Sequence, residues 1–469
     1  VLAATAARVA AIAAVAVGAA LLAAALACRG AGRGAAPPVS CIWIVVDTLR
    51  ADHLEWYGYG RATSPELRPL VARGVLFDNA YTTLPETTPA IASMLTSLPP
   101  YRHGVVHLYY RLNRQNVTAA ELLARAGYAT GAFVSSFVMI RDFSGLDRGF
   151  QVYDDFVDER ERYRENYERQ AGRTLALAWS WIERHRQEPF FCFIHLIDPH
   201  GPYTPPGEFA HRFRSSTAVP VRGHIPPYQQ IPGVHDFNVY RDLYDGEIAY
   251  ASHELGRFLT ALKSSSLFDP TLIVFVADHG EAMGGHGVYF AHGTGLFEDN
   301  VHVPMIVKPP AGLRAVRGSR VAQPVSVVDL LPTVLEILGR PRLPAFAGTS
   351  LVPLLAGRPG GGGGVFFELH EPQLLAGEVR AGRKTILDGE HVEQYDLAAD
   401  PGEVRPLPPE RCDAAVAELR RWQLLVAGWR RPFTVEPNFM ATERRGVFVR
   451  GRHPANPADI ARLRSLGYL

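Results

Sequence analysis

From residue 39 to about residue 355 the chain alternates short unbroken apolar runs with longer stretches whose apolar positions recur every three or four residues. The runs over 41–46, 129–134, 190–197, 271–277 and 303–307 have strand length and end in polar or turn residues, so they predict strands buried on both faces. Between them, 64–72, 117–126, 174–186 and 244–264 carry the helical period. This alternation predicts an α/β fold whose mostly parallel sheet is covered on both faces. Residues 155–170, charged and aromatic, read as a solvated helix rather than a binding patch. Residues 201–236, dense in Pro and Gly, read as an irregular loop overhanging the strand ends, where substrate choice is set.

A run of five glycines, Gly360 to Gly364, is too flexible for an element and reads as a joint. Beyond it, strand-like 365–368, 384–387 and 393–397 precede helix-like 414–425, which predicts a small C-terminal α+β subdomain with an antiparallel sheet. The expected organisation is thus a leader and tether over 1–38, a catalytic domain over 39–359 and a subdomain over 360–469.

The leader carries an apolar segment from Val9 to Ala27, directly after Arg8. An export signal has an apolar core of roughly 7–15 residues, so this length leans toward a membrane anchor. Cys28, at its end, offers a lipoprotein reading, and Gly- and Arg-containing 29–38 looks like a tether. Each version expects a cell-envelope protein, membrane-anchored or periplasmic or extracellular. With 48 Lys and Arg against 47 Asp and Glu there is no basic field, so nucleic acid is not an expected partner. Four cysteines without a CxxC pair give neither a disulfide framework nor a thiolate metal site.

The chemistry gathers at the ends of two predicted strands. Asp278-His279-Gly280-Glu281 follows the run 272–277, and Asp47 follows the run 42–46. Parallel sheets collect their chemistry at the carboxyl ends of strands, so three ligands, Asp47, Asp278 and His279, meet at one edge. Carboxylate and neutral imidazole suit Zn²⁺, Mn²⁺, Ca²⁺ or Mg²⁺. A lone Asp in such a place would ordinarily cap the next helix; the combination points to a metal.

Residues 82–96 run from a turn into a helix with Pro89 in its first turn. A hydroxyl at that mouth faces unpaired backbone N–H groups, which stabilise developing negative charge. Thr87 is the candidate nucleophile and a fourth metal contact, because a divalent cation lowers the pKa of a bound hydroxyl. On its own, Thr87 or Thr88 would read as an N-cap. His200 follows the strand-like 190–197 and His292 lies fourteen residues beyond Asp278, so both are aimed at the same edge. Either could also be a loop histidine held by backbone carbonyls. His195, inside the apolar run, reads as structural, and Glu281 and Arg50 as supports.

With these residues in place the chain resembles the sulfatase branch of the alkaline phosphatase superfamily, over nearly everything after residue 40. The matching segments are Ile44-Val45-Val46-Asp47-Thr48-Leu49-Arg50-Ala51-Asp52, Gly74 to Tyr81, Asp278-His279-Gly280-Glu281, Leu296-Phe297-Glu298 with Val303-Pro304, Val325 to Thr333, Tyr395-Asp396-Leu397 with Asp400-Pro401-Gly402-Glu403, and Leu466-Gly467-Tyr468-Leu469. The resemblance implies an alkaline-phosphatase-like α/β/α sandwich.

The departures are as informative. Sulfatases carry Cys or Ser, any residue, Pro, any residue, Arg, with the first oxidised to formylglycine; here the frame reads Thr87-Thr88-Pro89-Ala90-Ile91. No formylglycine is therefore expected. The family's sulfate-clamping Lys and His are replaced by Ser135 and Phe137, and its second acidic ligand by Thr48. The remaining Asp47, Thr87, Asp278 and His279 resemble the metal set of the threonine-dependent phosphoethanolamine and phosphoglycerol transferases. The resemblance implies that His200 and His292 bind the anion, protonate the leaving group or hold a second cation.

The leading expectation is a metal-dependent ester hydrolase with a Thr87 nucleophile acting on a small-molecule, lipid or glycan ester, phosphorus favoured over sulfur. A membrane-anchored headgroup transferase and a catalytically inactive sulfatase-like binding protein remain as alternatives.

Overall fold

A computed structural model describes residues 38–428 apart from 109, 164–166, 361–362, 371–372 and 409–412. In chain order the strands are β1 (Cys41–Val46), β2 (Val75–Tyr81), β3 (Ala129–Phe133), β4 (Val152–Asp154), β5 (Glu159–Arg160), β6 (Tyr167–Glu168), β7 (Phe190–Leu196), β8 (Leu272–Ala277), β9 (Ala282–Met283), β10 (Tyr289–Ala291), β11 (His302–Lys308), β12 (Arg320–Val321), β13 (Val325–Ser326), β14 (Val365–Leu369), β15 (Leu375–Arg380), β16 (Arg383–Asp388) and β17 (His391–Asp396). The main sheet runs β12-β2-β11-β8-β1-β7-β3-β4, with β13 also on β2. It is parallel except for β11, which is antiparallel to both β2 and β8. The expected α/β fold with a mostly parallel sheet is what the chain forms.

Every residue of β1, β7 and β8 is buried, which is why these segments are unbroken apolar runs rather than alternating ones. Their register places Val46 opposite both Leu196 and Ala277. The residues that follow β1 and β8, Asp47 and Asp278, therefore emerge side by side at one edge. Helix Ala171–Arg184 packs on β3 and β7 and against the long helix Phe237–Ser264. Gly131 in β3 makes room for the Trp181 ring of the first of these, since a Cβ there would come within 2.7 Å of it.

The C-terminal strands form an antiparallel sheet in the order β14-β15-β16-β17, with helix Asp413–Gly428 packed on β15 and β16. β14 is tied to the segment before the Thr87 helix, where Glu368 donates its N–H to the Thr83 carbonyl at 2.8 Å.

Two expectations change, and a third is not reached by the described residues. Residues 155–170 form no helix among those described; β5 and β6 pair antiparallel there. The stretch is also not fully solvated, because Arg169 is completely buried with its guanidinium bound to Thr174 Oγ1, Asp154 and the Val134 carbonyl. Helix Phe237–Ser264 starts seven residues earlier than its apolar period suggested, with Asp236 accepting the Asn238 N–H as a cap. The proposed anchor, Cys28 and the final Leu466–Leu469 motif lie outside the described residues. Among the described residues no helix is long and apolar enough to cross a membrane.

Candidate active site

At the end of β1, Asp47 is fixed by its own N–H on the Leu196 carbonyl, 2.9 Å away. Thr48 then adopts a left-handed conformation, φ 51°, that β-branched residues rarely take. This bend turns the Thr48 N–H onto Asp278 Oδ1 at 3.2 Å, and the same oxygen accepts the His279 N–H at 2.8 Å. What remains is unsatisfied: Asp47 Oδ1 and Asp278 Oδ2 are buried with no hydrogen-bond partner among the described residues.

His279 donates from Nδ1 to the Gly280 carbonyl at 2.9 Å, which leaves its Nε2 lone pair for the site. That atom is 3.7 Å from Asp47 Oδ1 and 3.6 Å from Asp278 Oδ2. The Thr87 hydroxyl completes the group, 3.4 Å from His279 Nε2 and 3.5 Å from Asp47 Oδ2. One ligand atom from each of Asp47, Asp278 and His279 falls within 4.8 Å of the others.

Burial dominates the electrostatics. It pushes Asp47 well above the usual carboxylate range, with the Glu281 charge adding to it. Burial and the neighbouring Asp47 raise Asp278 to about 6, and burial lowers His279 to about 4, so the imidazole is neutral at pH 7. Two crowded carboxylates, each with an orphaned oxygen, thus face a neutral imidazole turned toward them. The donor set fits a divalent metal ion, which would remove the like-charge penalty and satisfy both oxygens.

Thr87 is the first residue of helix Thr87–Thr96, and its hydroxyl does not cap it; Glu86 is the N-cap and makes no side-chain cap bond. Thr88 is turned away, with its hydroxyl 3.5 Å from the Val138 carbonyl. The helix is held from behind by a buried polar chain. Thr83 Oγ1 donates to Ser93 Oγ at 2.7 Å, His103 Nε2 lies 2.9 Å from the same Ser93 oxygen, and the Val105 N–H donates to His103 Nδ1 at 3.1 Å.

The hairpin of β9 and β10 returns His292 to the site. Its Nδ1 is 3.2 Å from Glu281 Oε1, and its ring centroid lies 4.6 Å from that of His279 and 5.1 Å from that of His200. His200 is oriented by Nδ1 on the Gly201 carbonyl at 2.7 Å. Asp47, Thr87, His200 and His292 line one pocket, walled by Leu108, Ser136, Phe137, Val138, Glu161, Tyr167, Glu168 and Ile197. Loop 201–236 reaches its support layer, as Gln229 Nε2 donates to Glu281 Oε2 at 3.0 Å. Burial pushes Glu281 up to about 8. Arg50 braces the same residue, donating to the Glu281 carbonyl at 2.8 Å while it pairs with Asp52. A larger cavity, about 300 Å³, lies elsewhere, beside Thr83, Asp329 and Trp422.

Asp47, Thr87, Asp278, His279, His200 and His292 come together at this edge. Sequence reasoning missed the β5–β6 wall and Gln229, and it read His195 as structural. His195 is fully buried with Nε2 3.5 Å from Asp47 Oδ2. Its pairing opposite Val45, one step behind the strand end, was the available signal.

A sulfatase family model matches residues 40–340. The chain is 27% identical to arylsulfatase K of Xenopus laevis over 349 residues, 63% of this chain and 62% of that protein. It is 24% identical to an arylsulfatase of Clostridium perfringens over 63% of this chain and 74% of that one. The match thus spans less than two thirds of the length of the Xenopus relative. Among solved structures, the phosphonate monoester hydrolase of Agrobacterium radiobacter superposes with a TM-score of 0.67 at 22% identity, over 83% of this chain and 95% of that one. The likeness in structure speaks for the fold, and the family model, covering both metal-ligand segments and the Thr87 helix, speaks for lineage: this chain belongs to the sulfatase family.

Proposed function

We propose that this chain is a metal-dependent ester hydrolase that works outside the cytoplasm, with Thr87 as nucleophile and a phosphoester as its preferred substrate. The reading rests above all on the Thr87 hydroxyl, buried at the mouth of its helix, free of capping duty and 3.4 Å from His279 Nε2. Asp47, Asp278, His279 and Thr87 itself would hold the cation. A divalent ion there lowers the pKa of the Thr87 hydroxyl and neutralises charge on the ester oxygens.

In the proposed reaction Thr87 Oγ1 forms a bond to phosphorus as the leaving alcohol departs, and backbone N–H groups of the helix mouth face the new charge. His200 and His292 have Nδ1 on the Gly201 carbonyl and on Glu281 Oε1 respectively, and both line the pocket. They bind the anion or carry a proton to the leaving oxygen. Glu281 orients His292, and Gln229 holds Glu281.

Two features favour phosphorus. The Cβ of Thr87 carries a methyl group, so its oxidation would yield a ketone and not the formylglycine aldehyde. A threonine ester has no geminal hydroxyl to expel the group and must be cleaved by a second in-line attack, which phosphoryl chemistry tolerates. In addition, no Lys or Arg stands among the described residues lining the pocket, and the Phe137 ring occupies part of its wall.

The test is turnover of an aryl sulfate, an aryl phosphate monoester and an aryl phosphodiester by the full chain loaded in turn with Ca²⁺, Mn²⁺ and Zn²⁺, with and without an acceptor alcohol. Preference for a phosphoester, with a phosphorylated Thr87 peptide recovered by mass spectrometry, is the expected result. Preference for the sulfate would overturn the choice of phosphorus, and rate acceleration only with the alcohol would make the protein a transferase.

A further inference from the structure

The penultimate residue of β7 is a histidine for which its apolar strand offers no partner. His195 is completely buried between β1 and β3, and neither ring nitrogen has a hydrogen-bond partner among the described residues. An imidazole so placed costs stability relative to an apolar ring of similar size, because at least one polar nitrogen has lost water without replacement. Its Nε2 comes within ion-pair range of Asp47 Oδ2, 3.5 Å away and longer than a formed hydrogen bond.

Asp47 has its backbone fixed by the Leu196 carbonyl, so its carboxylate orientation rests on side-chain torsions alone. Both His195 Nε2 and Thr87 Oγ1 sit against the same oxygen, Oδ2, and Oδ1 is the one left without a partner. We infer that His195 is a positioning residue for the metal centre: its Nε2–H biases Asp47 Oδ2 toward β7 and thereby presents Oδ1 to the cation. The inference rests on the metal reading above. Donors behind a metal-bound carboxylate set ligand orientation, and their loss weakens metal binding without emptying the ligand set.

The test uses the full chain stripped of metal, comparing wild type with His195→Phe and His195→Gln. Mn²⁺ affinity is measured by titration calorimetry, and metal-free stability by denaturant unfolding. His195→Phe should unfold no earlier than wild type yet bind Mn²⁺ roughly tenfold to a hundredfold more weakly, with His195→Gln regaining part of the loss. Wild-type Mn²⁺ affinity in folded His195→Phe, or in folded His195→Leu if the Phe form does not fold, would overturn the role of His195 alone. If wild type binds no Mn²⁺, the metal reading falls and His195 falls with it.

Discussion

Two groups of completely buried aspartates sit within this molecule and are treated in opposite ways. Asp245, on helix Phe237–Ser264, has both oxygens claimed: Oδ1 lies 2.7 Å from His53 Nδ1, and Oδ2 accepts from Tyr59 and Arg61 at 2.7 Å each. Asp47 and Asp278 are equally buried, yet each keeps one oxygen without a partner among the described residues, and a neutral imidazole nitrogen lies 3.7 and 3.6 Å from those two oxygens. A buried charge is tolerated when it is paired and hydrogen-bonded. The first cluster meets that condition from within the protein; the second requires something from outside. Incompleteness, and not burial or acidity, is what separates the reactive edge from the scaffold.

The largest effect should come from the member of the incomplete cluster that bears no charge. Thr87→Ala should reduce turnover of the preferred ester by at least about 10³-fold, because the neighbouring Thr88 hydroxyl is turned away toward the Val138 carbonyl. Since Thr87 does not cap its helix, unfolding stability should fall by less than about 1 kcal/mol. Unchanged turnover in the folded variant would remove Thr87 from the chemistry.

Replacing acid by amide should then separate the clusters by sign. Asp245→Asn breaks a buried pair and should cost about 3 kcal/mol, since Arg61 and His53 lose their charged acceptor. Asp278→Asn keeps an oxygen for the Thr48 and His279 N–H groups while ending the repulsion with Asp47, so metal-free protein should be equally or more stable. The same variant should lose its metal response: a chelator should lower the melting temperature of wild type but leave Asp278→Asn unmoved. Equal destabilisation by both substitutions in metal-free denaturant melts would erase the distinction.

How far this was visible in the sequence follows from the same physics. β1, β7 and β8 were legible because both faces are buried and their apolar runs are unbroken. The residues after them were then forced to one edge by register. β15 was not legible, since Leu375-Ala376-Gly377-Glu378 lacks bulk on one face; the Phe367 ring of the neighbouring strand fills the space, where a Cβ on Gly377 would lie only 2.0 Å from it. β5 and β6 are two residues each, too short for any period to register. Thr87, Asp47, Asp278 and His279 could be named from motif and strand ends, but His195 could not. A histidine inside an apolar run looks like core, and only the pairing of β7 with β1 brings it against Asp47.

The smallest effect concerns a histidine of the complete kind. His103 has both nitrogens engaged, with Ser93 Oγ at 2.9 Å and the Val105 N–H at 3.1 Å, and burial lowers it from its ordinary 6.5 to about 3. Its folded-state value lies below the unfolded one, so the folded protein binds fewer protons at this site as pH falls. The contribution of neutral His103 to stability is therefore fully present above about pH 6.5 and is lost progressively between 6.5 and 3. Within that window it adds up to about 1.4 kcal/mol per pH unit to the slope of unfolding free energy. His103→Asn should lower stability at pH 7, because the Ser93 and Val105 contacts are not reproduced by the shorter side chain, and should flatten the slope between pH 6.5 and 4.5. Metal should leave that difference in slope unaltered, since the polar chain from His103 through Ser93 to Thr83 supports the Thr87 helix from its far side. Parallel pH profiles for wild type and variant, in denaturant melts of the metal-free protein, would show that His103 does not titrate across unfolding and that the chain behind Thr87 is not held by a neutral imidazole.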